Sequence, residues 1–309
     1  MNTMSLFESG DSSGDISIMD MFNGKNIVKN VKKTSLEELA NLIVRGGWRA
    51  NINIASDKSG LMPKYYINSI LEKDIFEIKN IDSIKMNMLL KSLARNESTT
   101  ISNNKLIKDI SENEDLKVDK RTISDYLDIL DKLNLLNNQP AYSLNYRSPD
   151  RIGKNIKRHF VDPSLAAALL NINKDKLIGD LKTFGFLFEA LVERDLNIYM
   201  DYLNGKIYHF RDNVTGLEVD TILEFENGEY AAVEIKLGFN QFDEAKEHLL
   251  KFQKSMTKKP ICFSKGKYNK QKRLYFSLEK HIFFKNILTS TNVSQTICYH
   301  VNIELLSKE

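Results

Sequence analysis

Glu218-Val-Asp-Thr-Ile-Leu-Glu-Phe-Glu-Asn-Gly-Glu-Tyr-Ala-Ala-Val-Glu-Ile-Lys236 sets two runs rich in β-branched and aromatic residues on either side of Glu226-Asn227-Gly228. That pattern predicts a β-hairpin. Its register follows from the apolar positions. A two-residue Asn227-Gly228 turn would set Phe225 opposite Tyr230 and Val219 opposite Lys236, mixing apolar and charged groups on each face. A three-residue loop with Gly228 in a left-handed bulge sets Phe225 opposite Glu229 instead. Val219, Thr221, Leu223, Phe225, Ala231, Val233 and Ile235 then share one face. Asp220 lies across from Glu234 on the other, with Lys236 two residues along.

Two carboxylates directly opposed on a sheet repel, and burying them unpaired costs several kcal/mol. A divalent cation removes that cost. Asp220, Glu234, the Ile235 carbonyl and waters supply the hard oxygen ligands that Mg²⁺ or Mn²⁺ prefers. Glu189, on a preceding amphipathic helix, is a further candidate ligand, for a second ion or for a metal-bound water. Lys236 beside this anionic centre suits orienting an attacking water or stabilising charge on a phosphate. Glu189, Asp220, Glu234 and Lys236 are therefore the candidate catalytic set for phosphodiester hydrolysis, with Asp220, Glu234 and Glu189 as metal ligands. The competing reading of Glu-Ile-Lys alone is an exposed pair neutralised by Lys236 and solvent. Helix Glu, strand Asp, hairpin and Glu-x-Lys in this order are harder to obtain by chance.

Outward from the hairpin, Phe184 to Leu203 carries apolar side chains at helical spacing, with Glu189 at the stripe's edge one turn before Glu193. Ile207 to Arg211 reads as a strand, and Gln241 to Met256 as a helix. His209, Arg211 and Gln253 read as satisfied surface residues, and the histidines show no ligand pairing at i, i+4. Ile261 to Ser264, Arg273 to Leu278 and Ile297 to Leu306 read as further strands of a mixed sheet. The lysines between Lys251 and Lys272, with Arg273, form a basic zone that is either a phosphate track or ordinary solubilising surface.

Upstream, Thr34-Ser35-Leu36-Glu37 is a capping box for a helix ended by Gly46-Gly47. The first 30 residues read as an extended arm packing on something larger. Asn51 to Gly60 reads as a loop, and Lys64 to Ile81 as helical. Three short helices are predicted over Lys85 to Arg95, Asn103 to Ile110 and Lys120 to Leu133, followed by a ribbon from Leu135 towards Tyr142 and Phe160. This is winged-helix order, in which the third helix presents its first turns, here Lys120 and Arg121, to a DNA groove. Arg147, Arg151, Lys154, Lys157 and Arg158 add five cations in a stretch with aromatic neighbours. They suit phosphate binding, and a solvated loop is the even alternative.

With 309 residues, 42% hydrophobic and 28% charged, the chain reads as a soluble globular protein of two or three units. A net charge of +3 does not by itself announce nucleic acid, so any basic surface must be local. Cys262 and Cys298 read as buried thiols in a reducing compartment. No apolar run approaches the roughly 20 residues that span a bilayer, and residues 1–14 lack a secretory signal's pattern. A cytoplasmic location without a membrane partner is expected. No Gly-x-x-x-x-Gly-Lys-Ser/Thr loop occurs, so no ATP site and no ATP hydrolysis by this chain alone are expected.

Arg45-Gly-Gly-Trp48, the winged-helix order, Lys157-Arg-His-Phe-Val-Asp-Pro163, Phe188-Glu189, Glu218-Val-Asp220 and Val233-Glu-Ile-Lys236 together resemble the C-terminal part of a family of bacterial and archaeal AAA+-like ATPases. That family carries a C-terminal domain of unknown function that looks like a PD-(D/E)XK nuclease. Met4 to Gly14 also resembles the segment following the family's ATPase core, so the resemblance covers nearly the whole chain, while the nucleotide-binding half is missing from it. The resemblance implies a remnant, a fragment or a stand-alone derivative of such an ATPase. It implies an α/β (α+β) chain: an N-terminal arm and helical segment (1–82), a winged-helix-like domain (83–162) and a restriction-endonuclease-like mixed sheet flanked by helices (163–309). The first functional expectation is a DNA-binding, Mg²⁺- or Mn²⁺-dependent nuclease-like protein. The alternative is a non-catalytic DNA- or protein-binding remnant, with or without an ATPase subunit in trans.

Overall fold

A computed structural model of the chain describes residues 2–15, 17–22, 34–55, 58–74, 81–111, 118–152, 155–258, 274–275 and 295–300. Its helices in chain order are α1 (Ile18–Phe22), α2 (Leu36–Arg45), α3 (Leu61–Ser69), α4 (Ser83–Arg95), α5 (Asn103–Ser111), α6 (Lys120–Lys132), α7 (Pro163–Leu169), α8 (Lys174–Gly179), α9 (Leu181–Tyr202) and α10 (Phe242–Lys258). Its strands are β1 (Lys206–Arg211), β2 (Glu218–Glu224), β3 (Tyr230–Lys236), β4 (Leu274–Tyr275) and β5 (Gln295–His300). This is an α+β fold. No helix among the described residues is long and apolar enough to cross a membrane.

The chain forms two compact units, each discontinuous in sequence. One is Met1–Asp11, Glu37–Gln139 and Asn155–Asp195; the other is Ser12–Leu36, Pro140–Lys154 and Leu196–Glu309. The three consecutive segments expected from sequence are thus distributed between two interleaved units.

In the first unit, α4, α5 and α6 start where side chains satisfy orphan N–H groups. Asp82 accepts from the Ile84 and Lys85 N–H groups, and Asp119 from that of Thr122 at 2.7 Å. Met86, Leu89, Leu90 and Leu93 of α4, Leu106 and Ile110 of α5, and Ile123, Leu127 and Leu130 of α6 are all buried, so each helix turns its apolar stripe inward. The expected ribbon is reduced to isolated antiparallel bridges: Leu136 with Phe160, Gln139 with Lys157, and Thr99 with Arg158.

The arm expected over the first 30 residues has two parts among the described residues: a stretch folded against the first unit, and helix α1. Met4 N–H donates to the Gly47 carbonyl at 2.8 Å. A Cβ at Gly47 would lie 2.1 Å from the Met4 carbonyl oxygen, so only glycine admits the arm. Asp162 ties the segments together, accepting from Gly47 N–H, Thr3 Oγ1, Arg194 Nη1 and, as the cap of α7, Ser164 N–H.

In the second unit the strand order is β1-β2-β3-β5-β4, antiparallel from β1 to β3 and parallel from β3 to β5 and β4. The predicted run Ile261 to Ser264 and Cys262 lie outside the described residues, and of Cys298 only the backbone in β5 is described. Between β2 and β3, Thr221 pairs with Val233, Leu223 with Ala231 and Glu224 with Tyr230. Phe225 N–H donates to the Glu229 carbonyl at 2.8 Å, and Gly228 has φ +79°. The three-residue loop and the register read from the apolar pattern are therefore those of the structure.

The single apolar face read for β2 is broken by a bulge. Tyr208 pairs with Ile222 and Phe210 with Val219, so Asp220 and Thr221 together oppose His209. The extra residue turns Val219 onto the face carrying Ile222, Tyr230 and Ala232, which Ala245, Leu249, Phe252 and Met256 of α10 cover. Alternation cannot reveal a bulge, because a bulge is where alternation stops.

Candidate functional site

The bulge lies at Asp220, next to the point where β2 and β3 bring Asp220 level with Glu234. Lys236 Nζ reaches both carboxylates, at 2.9 Å from Asp220 Oδ2 and 2.6 Å from Glu234 Oε2. The Glu234 contact is an ion pair without hydrogen-bond alignment. Asp220 Oδ2 also accepts the Ile235 N–H at 2.7 Å, which holds its side chain over β3. Glu234 is 1% exposed, and Asp220 and Lys236 are half-buried. Burial, and then the neighbouring Asp220 charge, push the Glu234 carboxyl well above the usual carboxylate range. Burial works against the Lys236 ammonium, yet the Asp220 and Glu234 charges outweigh it and raise its pKa.

Two carboxylates thus share one ammonium. Burial is the larger cause of the Glu234 shift, and the Asp220 charge adds to it. Hard oxygen donors with surplus negative charge fit a divalent cation, with Asp220 and Glu234 as the residues that would hold it. No group of three or more His, Cys, Asp or Glu side chains among the described residues is gathered closely enough to form a complete metal site.

His248, one of the histidines without ligand pairing in the sequence, presents Nδ1 at 3.9 Å from Glu234 Oε1. Its signal was available: it stands three residues after Ala245 and four before Phe252, at the edge of the stripe that α10 packs on the sheet. Gln253 is half-buried on the same helix. His209 is buried, and Arg211 pairs with Glu218 at 2.8 Å.

Glu189 belongs to the first unit, where Lys157 pairs with it and also with Glu193, at 2.8 Å from Oε1. His159 continues the chain of charges, with Nε2 3.0 Å from Glu193 Oε2 and Nδ1 3.0 Å from Glu97 Oε1. Although burial disfavours its charge, Glu193 and then Glu97 lift the His159 pKa to about 9. Lys157 and His159 pull Glu193 down to about 2 against the effect of burial. Glu97 moves up, because burial outweighs His159. Glu189 is thus committed to a structural ion-pair chain.

The residues expected to meet nucleic acid divide sharply. Lys120, Arg121 and Arg147 are exposed. Arg151 is half-buried in the second unit, where Nη1 and Nη2 donate to the two carboxylate oxygens of Glu224 at 2.9 and 2.7 Å. Its guanidinium also stacks on Tyr142, Tyr146 and Tyr208, with centroid distances of 4.7 to 5.1 Å. Lys157 is buried with its glutamates and Arg158 is 8% exposed. Lys154 lies outside the described residues. A run of basic letters makes an open phosphate track only where the side chains reach solvent, and burial is set by distant segments.

Residues 184–280 match a domain of unknown function, DUF4143. This family is often C-terminal to AAA-like ATPases. Residues 36–176 match a second domain of unknown function, DUF8612. No curated protein and no solved structure matches the chain. The DUF4143 match begins within α9 and takes in β1, β2, β3 and α10, so the Asp220, Glu234 and Lys236 cluster falls inside it.

Proposed function

We propose that the second unit carries a divalent-cation-dependent phosphodiesterase site of the nuclease-like kind, and that α4 to α6 form a winged-helix-like module that holds DNA. The observation that carries this reading is that Asp220 and Glu234 each lie within 2.9 Å of Lys236 Nζ on one hairpin, with Glu234 held above its ordinary pKa. When bound, Mg²⁺ or Mn²⁺ would polarise a phosphate oxygen and acidify a water. Asp220 and Glu234 are the anchoring carboxylates. Lys236, with its charge secured by both, orients the attacking water or stabilises charge building on the phosphate. Lys120, Arg121 and Arg147 are the exposed cations suited to backbone phosphates. The likeness to DUF4143 motivates one protein partner, an AAA-like ATPase subunit acting in trans.

A second reading is a non-catalytic DNA- or protein-binding protein. Two observations favour it: Lys236 already neutralises part of the carboxylate pair, and Glu189 is spent on Lys157. Incubating the purified chain with duplex DNA and Mg²⁺ or Mn²⁺ decides between them. The proposal expects cleavage that falls by about 100-fold or more in Asp220→Ala and in Lys236→Ala, with circular dichroism unchanged. Absence of cleavage, together with metal titrations that are flat for wild type and Asp220→Ala alike, would sink it.

A further inference from the structure

The first unit buries several cations, and it gives nearly all of them a carboxylate. Lys157 has Glu189 and Glu193; His159 has Glu97 and Glu193; Arg194 has Asp162 and Asp195; Arg45 has Asp11. Arg158 departs from this pattern. The residue is only 8% exposed, yet no carboxylate among the described residues pairs with it. Of the five N–H donors a guanidinium offers, one from Nη2 goes to the neutral Asn103 Oδ1 at 2.8 Å, while Nε has no partner among the described residues. Burial pulls its pKa down with nothing opposing it. A buried guanidinium with no carboxylate among the described residues is a place where an anion is favoured.

The place is well defined. Arg158 is held on both sides of its peptide, with its N–H donating to the Thr99 carbonyl and its carbonyl accepting from the Ser98 N–H. Asn103, which accepts from its guanidinium, is the first residue of α5, a nine-residue helix capped by Ser102, whose side chain accepts from the Lys105 N–H. The leading N–H groups of a helix have no intrahelical acceptor and favour anions. In helix-turn-helix docking the helix preceding the recognition helix crosses the nucleic-acid backbone, and α5 precedes α6.

We propose that Arg158, together with the start of α5, is a seat for a single phosphate group, supplied by the backbone of a polynucleotide. The inference rests on the winged-helix part of the proposed function and is independent of whether the second unit cleaves. An inorganic phosphate ion has the same chemistry, so the test needs an arm for each source. Thermal melts of the full chain in inorganic phosphate against chloride at equal ionic strength should raise the wild-type Tm by about 2 °C, with no rise in Arg158→Met. In chloride alone, Arg158→Met should melt at or above the wild-type temperature, because it removes an unpaired charge; a merely structural arginine would lower it. Titrating a short labelled duplex at several salt concentrations should show Arg158→Met binding about tenfold more weakly, with a salt slope smaller by about one. Arg158→Lys, which keeps the charge, is the second variant if the methionine chain does not fold, and it should respond to phosphate more weakly than wild type.

Wild-type values for the variants in both arms overturn the inference, even if the duplex is bound. A phosphate response confined to wild type, with duplex affinity unchanged by substitution, overturns the polynucleotide source and leaves a free-phosphate seat. If the wild type binds no duplex at all, the winged-helix reading fails together with the polynucleotide source, and the melts alone uphold or overturn the seat.

Discussion

Arg151 shows how one side chain can look like a nucleic-acid contact and be something else. Its letter sits in a basic stretch, but the guanidinium is closed in a two-pronged pair with Glu224 and ringed by three tyrosines. Planar fork geometry and ring stacking are properties lysine lacks. Arg151→Lys should therefore destabilise the chain by about 2 kcal/mol, read as a lower urea midpoint, while leaving duplex affinity at the wild-type value. A marked loss of duplex affinity without loss of stability would return Arg151 to the nucleic-acid surface. Glu224 and Tyr208 were not legible as its partners, because they lie 73 and 57 residues away in sequence and meet it only through the sheet. The Lys236 contacts, by contrast, join residues of a single hairpin and could be read directly.

The β2–β3 hairpin is where local sequence carries most. Gly228 takes φ +79°, and Asn227 supports the turn by accepting from the Glu229 N–H through its side chain. A Cβ there would meet only the Tyr146 hydroxyl at 3.6 Å, an ordinary contact. The penalty for substitution is thus one of backbone conformation. Gly228→Val should cost about 1–2 kcal/mol and Gly228→Asn clearly less, measured by denaturant unfolding. Equal costs for the two would mean that contact, and not φ, sets the requirement. The same element carries the feature that periodicity could not show, the bulge at Asp220 and Thr221. The helices α4, α5 and α6 begin within two residues of their predicted starts because caps and apolar stripes are local signals. The predicted ribbon, which depends on strand pairing across some 20 residues, shortened to bridges.

For the whole chain, pH is the most direct probe of the buried charge network in the first unit. His159 is raised from 6.5 to about 9 in the folded state, so its contribution is complete below pH 6.5 and is lost as pH rises through 9. Glu193 is lowered from 4.5 to about 2, so its contribution is present above pH 4.5 and is lost as pH falls through 2. Stability should be greatest between about pH 4.5 and 6.5, with a decline towards pH 9 that His159 supplies at on the order of 3 kcal/mol. In His159→Gln, Tm should be lower at pH 6 and its fall between pH 6.5 and 9 largely gone. A fall as steep as that of wild type would show that His159 is not the titrating group. The sequence by itself determined the α+β class, the starts of α4, α5 and α6, the β2–β3 register and the grouping of Asp220, Glu234 and Lys236. All of these follow from spacings of a few residues, where the periods of strand and helix dictate which side chains share a face. Only the tertiary structure decided that Glu189 serves Lys157, that Arg151 is closed on Glu224, that His248 stands beside Glu234, and that Arg158 is buried without a carboxylate. Each of these depends on which distant segments meet, and burial, not residue type, decides what a charge is available to do.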